Sequence, residues 1–255
     1  MKKLKDKVVL ITGGASGIGK IMTRLLLERS AKVIICDIDK VNIDKTILEF
    51  SKKGEIFGFN IDVSSPESII KNVEKIKQQI GKIDVIINNA GIVVGKYFKD
   101  HSFTDIKNTM DVNSNGPMNI TLAFLSDMIA SNSGHICNIA SSGGLISNPK
   151  MSVYAASKWA VIGWSDSLRL EMKQLNKNIY ITTVLPYYIN TDMFNGVQSK
   201  LPILEPEATA LTIIKAIEKN KKMITIPGYI YRLTRFGQAI MSIRFFDWFA
   251  GSLLE

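Results

Sequence analysis

The strongest constraint on this chain is an alternation. Short runs of β-branched and aliphatic residues recur along the sequence, each followed by a longer stretch with helical spacing. The runs are Val8–Ile11, Lys32–Cys36, Ile56–Asn60, Ile83–Asn88, Gly134–Ile139, Ile179–Leu185 and Met223–Ile226. Several are apolar nearly throughout, as strands buried on both faces must be. Helical stretches fall near Ile18–Arg29, Asn42–Lys52, Pro66–Ile80, Phe103–Ser131, Ser152–Leu175 and Pro206–Lys219. Strand and helix in strict turn predict an α/β fold, a doubly wound parallel sheet of about seven strands built through right-handed crossovers. No linker, repeat or low-complexity segment interrupts the 255 residues, so one domain is expected, with residues 229–255 as a distinct tail.

Composition narrows the class. At 46% hydrophobic residues the chain has material for a continuous core, and no apolar run is long enough to span a bilayer. The lysine-rich start runs into an apolar segment too short for a signal-peptide core, so the cytoplasm is the expected compartment. Cys36 and Cys137 sit inside strand candidates and read as buried thiols. The net charge of +9 is spread along helices beside acidic residues. With no base-stacking motif and no zinc-ligand spacing, neither nucleic acid nor a metal is expected as a partner.

The first strand runs into Thr12-Gly13-Gly14-Ala15-Ser16-Gly17-Ile18-Gly19 and then a helix. Glycines there let the backbone turn tightly and approach a pyrophosphate, whose charge meets the free amides of the helix N-terminus. Asp37 ends the second strand, 18 residues after Gly19, where a carboxylate accepts hydrogen bonds from ribose hydroxyls and repels a 2′-phosphate. The loop carries no Arg or Lys between Gly13 and Gly19, and Ile38 follows Asp37, which together favour NAD over NADP. Asp62-Val63 follows the third strand, where an adenine could rest, and Asn88-Asn89-Ala90-Gly91 ends the fourth with short side chains. Each alone is an ordinary turn; at successive strand ends they outline one crevice.

Tyr154-Ala155-Ala156-Ser157-Lys158 opens a long helix, and a spacing of four puts Tyr154 and Lys158 on one face. A tyrosine titrates near 10, and a neighbouring ammonium is expected to lower that value. Thirteen residues upstream, Ser141 follows the fifth strand, where its hydroxyl could hold a substrate oxygen.

These motifs, with Asn113 in Asp111-Val112-Asn113-Ser114, resemble the short-chain dehydrogenase/reductase family in order and spacing from Lys7 to about Ile226. The resemblance implies Tyr154 as general acid/base and Ser141, rather than Ser142, as the residue orienting the carbonyl or alcohol. Lys158 would bind the nicotinamide ribose and tune Tyr154, and Asn113 would anchor a water linking Lys158 to solvent. The implied cofactor set is Gly13, Ala15, Ser16, Gly17, Ile18, Gly19, Asp37, Asp62, Val63, Asn89, Ala90, Gly91, Tyr154, Lys158, Pro186, Ile189 and Thr191. One departure stands out: the family usually has Pro-Gly after the sixth strand, whereas this chain has Pro186-Tyr187-Tyr188. Tyr187 either lines the substrate pocket or packs against the sheet.

In the family the region after the sixth strand covers the substrate. Here Asp192–Glu205 supplies Met193, Phe194, Val197, Leu201, Ile203 and Leu204, which suits an apolar substrate. In the tail, Ile230, Leu233, Phe236, Ile240 and Ile243 recur as on an amphipathic helix, interspersed with Arg232, Arg235 and Arg244. Packing on the domain or a partner subunit, rest on a membrane surface, and a substrate lid all remain open for it. The leading expectation is an NAD-dependent dehydrogenase of a hydrophobic secondary alcohol. A 3-oxoacyl-thioester reductase and a non-catalytic dinucleotide sensor are the alternatives, and a homodimer or homotetramer through the two long helices is implied.

Overall fold

The computed structural model describes residues 4–146, 148–194, 202–242 and 244. Of the substrate-cover segment, Val197 and Leu201 lie outside the described residues, as do Ile243 and everything from Phe245 onward in the tail.

Seven strands form one sheet: β1 (Val8–Thr12), β2 (Lys32–Asp37), β3 (Ile56–Asn60), β4 (Val85–Asn88), β5 (Gly134–Ile139), β6 (Ile179–Pro186) and β7 (Met223–Ile226). All pairings are parallel and the order is β3-β2-β1-β4-β5-β6-β7. The helices between them are α1 (Gly17–Leu27), α2 (Lys40–Phe50), α3 (Pro66–Gln79), α4 (Phe103–Met110), α5 (Gly116–Ala130), α6 (Ser152–Gln174), α7 (Pro206–Glu218) and α8 (Tyr229–Ile240). Among the described residues no helix is long and apolar enough to cross a membrane.

Strand periodicity sorts the core into two layers. Val9, Ile11, Val33, Ile35, Val85 and Ile87 point to one face and pack with Met22 and Leu26 of α1, Ile43 of α2 and Ile213, Ile214 and Ile217 of α7. The intervening Leu10, Ile34, Cys36 and Ile86 point to the other, against Ile69 and Ile76 of α3, Phe124 and Met128 of α5 and Leu168 and Met172 of α6. Each fully buried aliphatic side chain contributes about 1.5–3 kcal/mol relative to exposure. Both cysteines are free and buried, and desolvation raises both thiols far above their ordinary range.

The chain reverses its direction of growth between β1 and β4, and the crevice at their C-terminal ends is where such sheets take ligands. The stretch Phe103–Ser131, expected as one helix, is helical without a break from Phe103 to Ala130, with α4 running into α5 through a π-helical turn over Asp111–Asn115. Pro117 offers no amide to continue an α-helical ladder, while Asn115 Nδ2 donates to Asp111 Oδ1 at 2.9 Å across the wider turn. The turn faces Asn113 and Ser114 into the protein, both essentially fully buried.

Candidate active site

The loop after β1 is held from beneath. Thr12 Oγ1 accepts the amides of Asn89 and Ala90, each at 3.0 Å, and Asn89 Nδ2 donates to the carbonyls of Thr12 and Gly13. Gly13 and Gly17 have φ of +63° and +48°, conformations that disfavour a side chain. At Gly19 the restriction is closeness: a Cβ there would lie 1.9 Å from the Gly13 carbonyl oxygen. Ser16 makes no side-chain cap to α1, and no acidic residue stands in the helix's first turn. Its N-terminal amides therefore face the crevice with their partial positive charge uncompensated.

A cleft runs from this loop across the strand ends. Of the residues expected to hold a cofactor, Gly13, Ser16, Gly17, Ile18, Gly19, Asn89, Ala90, Gly91, Tyr154, Lys158, Pro186, Ile189 and Thr191 line it. Ala15, Asp37, Asp62 and Val63 do not. Asp37 Oδ2 accepts the Ala15 amide at 3.1 Å, which fixes the carboxylate beside the loop. Asp62 is engaged with the amide and hydroxyl of Ser64, and Val63 is buried close to Gly116.

At the cleft's inner end α6 delivers Tyr154 and Lys158 from its first two turns. Both are buried, and the Lys158 ammonium lies 5.7 Å from the centre of the Tyr154 ring. Lys158 Nζ donates to the Ile139 carbonyl at 3.0 Å. The π-turn braces this helix end. Asn113 Nδ2 donates to Ser157 Oγ at 3.1 Å, Ser157 Oγ donates to the Tyr154 carbonyl at 2.7 Å, and Ser114 Oγ donates to the Ser157 carbonyl at 3.0 Å. Asn113 also exchanges hydrogen bonds with the backbone of Ile92. Gly91 completes the packing, since a Cβ there would come within 3.2 Å of Asn113 Oδ1 and 3.6 Å of Lys158 Nζ. Ser141 Oγ accepts the Gly143 amide at 3.1 Å and is hydrogen-bonded to Tyr154.

Burial sets the electrostatics. Tyr154 is pushed up to about 12, mainly by desolvation, with the Ser141 hydrogen bond opposing. The shift runs opposite to the lowering expected from the ammonium. Lys158 is pushed down to about 8 by its own desolvation. The cost of keeping Lys158 charged inside the fold is complete below about pH 8 and absent above its ordinary 10.5. It amounts to about 3 kcal/mol at neutral pH. Lys158→Met is accordingly expected to raise the thermal midpoint of the free protein at pH 7, by a gain that shrinks towards pH 10. Thermal unfolding across that range checks this; a midpoint lowered at every pH contradicts it.

Beside the cleft lies a second, narrow pocket, which shares Ser141, Tyr154 and Tyr187 with it and adds Ile146, Asn148, Met151, Ala155 and Tyr188. The Tyr187 ring is buried and lines both spaces. It meets Tyr188 edge-on at 4.8 Å, and Tyr188 Oη accepts from Asn148 Nδ2 at 2.8 Å. Tyr188 and Asn148 were not expected in the site, nor was the bracing by Thr12 and Ser157. The Pro-Tyr-Tyr departure was the one visible signal for Tyr188.

A glycine-cradled crevice at the sheet's reversal point, ending on a buried Tyr–Lys–Ser cluster, defines the site of a dinucleotide-fold oxidoreductase. The comparisons carry this to a family. The model of the family "short chain dehydrogenase" matches residues 7–202. Epidermal retinol dehydrogenase 2 of Mus musculus is 32% identical over 250 residues, covering 95% of this chain and 81% of that protein. 17-beta-hydroxysteroid dehydrogenase 13 of Rattus norvegicus is 33% identical over 232 residues, covering 90% and 77%. A short-chain dehydrogenase/reductase from Burkholderia phymatum in complex with NAD shares the fold, with a TM-score of 0.86 at 23% identity over 94% of this chain and 95% of that one. The chain belongs to the short-chain dehydrogenase family, and it is an oxidoreductase acting on alcohol groups.

Proposed function

We propose that the protein transfers a hydride between NAD(H) and a hydrophobic secondary alcohol or its ketone, with Tyr154, Ser141, Lys158 and Asn113 as its catalytic set. The observation that carries this reading is the convergence of the glycine cradle and the buried Tyr154–Ser141 pair on two adjoining spaces. The cradle fits a pyrophosphate: at Gly17 an added Cβ would project into open space, while Gly19 presses against Gly13. Gly13, Ser16, Gly17, Ile18 and Gly19 would hold the diphosphate, Asn89, Ala90 and Gly91 the strand-end side of the cofactor, and Lys158 the nicotinamide ribose. Ile189 and Thr191 would contact the far end. When bound, the nicotinamide ring supplies the hydride acceptor or donor.

The chain's own groups handle the proton. Ser141 Oγ orients the substrate oxygen beside Tyr154 Oη. In ketone reduction Tyr154 gives up its proton to that oxygen as the carbon gains a hydride. In alcohol oxidation the phenolate takes the hydroxyl proton as the hydride leaves. A tyrosine held near 12 is protonated at neutral pH and ready as the acid. The charged Lys158 beside its ring stabilises the phenolate once formed. Asn113 holds the helix end that carries both.

Asp37, fixed at the end of β2 by the Ala15 amide, supports NAD over NADP, because a 2′-phosphate there would meet a carboxylate. Asp37→Ala is expected to narrow the ratio of kcat/KM for NAD over NADP by roughly ten-fold or more, the worth of about 1.4 kcal/mol. An unchanged ratio removes Asp37 from cofactor selection.

The second pocket supports an apolar substrate, since Ile146, Met151, Ala155, Tyr187 and Tyr188 dominate its wall. The relatives named as retinol and 17-beta-hydroxysteroid dehydrogenases point the same way. Initial rates with secondary alcohols of rising chain length test it. The expected result is kcat/KM that climbs with each methylene, by up to about four-fold for a fully buried CH₂; a flat or falling series sinks the hydrophobic reading. A homodimer or homotetramer through the two long helical stretches, Phe103–Ser131 and Ser152–Leu175, is supported by Leu122 and Leu170, which stay exposed there. The same reading keeps the protein in the cytoplasm with peripheral contact to a membrane surface.

A further inference from the structure

We infer that α8 is the surface by which this protein docks on an anionic lipid layer, with the rim of the substrate pocket held against that layer. The inference rests on the hydrophobic-substrate reading for its purpose and on the helix itself for its geometry. Tyr229, Leu233, Phe236 and Ile240 are 48, 60, 64 and 62% exposed. At about 100° per residue they fall within roughly 60° of one another, one apolar stripe along the whole helix. The opposite side is the attached one. Thr234 is buried, and Gln238 Nε2 donates to the Leu145 carbonyl at 2.9 Å.

Two observations select a lipid surface as the occupant. The first is charge. From Tyr229 to Arg244 the sequence contains Arg232, Arg235 and Arg244 and no carboxylate, on a chain of net charge +9. The Arg235 guanidinium lies over the ring of Trp159 at 5.8 Å, and that ring is itself partly exposed on α6. An exposed apolar stripe on a segment that carries arginines and no carboxylate matches acyl chains below and anionic headgroups around. The second is position. Leu145, which receives the Gln238 bond, precedes Ile146 in the wall of the substrate pocket, and the Leu204 amide is bonded to the carbonyl of Tyr188 in the same wall. A stripe seated in lipid would bring that wall to the layer in which an apolar alcohol dissolves.

The test is flotation of the full chain with vesicles of phosphatidylcholine, alone and mixed with phosphatidylserine. It is run beside turnover of a short, water-soluble secondary alcohol. Binding is expected to the mixed vesicles and to weaken with salt. The variant Leu233→Ser/Phe236→Ser/Ile240→Ser is expected to lose it by roughly ten-fold or more while turnover of the short alcohol is unchanged. A control that removes exposed aliphatics elsewhere, Leu48→Ser/Ile70→Ser, should bind as the parent does. No flotation of the parent, or equal flotation of the triple variant, overturns the inference while leaving the catalytic reading intact. A triple variant that changes only the oligomeric mass by light scattering also overturns it, and assigns the stripe to a second copy of the chain. Flotation without turnover of any alcohol keeps the docking surface and removes the function proposed for the pocket.

Discussion

Tyr154→Phe is expected to lower kcat by about 10²–10⁴-fold, the usual worth of a positioned general acid, while dinucleotide affinity changes little. The substitution removes one oxygen from a buried ring at the junction of the two spaces. It leaves the α6 backbone, the Ser157 brace and Lys158 in place, so the fold and the cofactor cleft should persist. Ser141 loses its partner, but its bond from the Gly143 amide remains. Stopped-flow binding of NADH together with steady-state rates separates the two quantities. Substantial residual turnover would mean that Tyr154 is not the proton donor. Loss of binding together with turnover would mean that its role is structural.

Gly19→Ala should act on the opposite quantity. The added methyl would lie 1.9 Å from the Gly13 carbonyl oxygen and 2.7 Å from Asn89 Nδ2. The first contact is backbone, so no rotamer change relieves it, and the loop must move away from the start of α1. Overpacking of this kind costs about 1–3 kcal/mol. Here it falls on the segment whose amides would hold the diphosphate. The expected result is a Kd for NADH raised on the order of 10–100-fold with the global fold kept, seen by titration beside circular dichroism. Unchanged affinity would show that the cofactor does not rest on this loop.

The parts of the site that could be read from sequence are those with local signatures. The glycine loop is fixed by positive φ and close approach within seven residues, and Tyr154 and Lys158 share a face because four residues make about one helical turn. Strands buried on both faces declare themselves as apolar runs, as Val33-Ile34-Ile35-Cys36 does in β2 and Val85-Ile86-Ile87 in β4. What sequence did not yield is long-range or conformational. Thr12 braces Asn89 across 77 positions, and Asn148 meets Tyr188 across 40. Nothing local in either residue announces its partner. The π-turn at Asp111–Asn115 is a shift in backbone register, invisible to side-chain periodicity, and its Asn113 meets Ser157 across 44 positions. The Tyr154 shift runs against expectation for a related reason. Spacing puts the ammonium on the same helical face, but the depth of burial that raises the phenol is a property of the folded cleft. The α8 stripe was legible as a period; which side of it faces the domain depended on Gln238 and Leu145, 93 positions apart.

The most direct test of the account follows the hydride itself. The protein is incubated with NAD and a long-chain secondary alcohol deuterated at the carbinol carbon, and the reduced cofactor is examined by mass spectrometry. The account predicts one deuterium carried into NADH by the parent protein and no appreciable transfer by Tyr154→Phe in the same interval. Tight NADH binding with no transfer from this or any secondary alcohol would contradict it, and would leave a protein that holds the dinucleotide without using it for this chemistry.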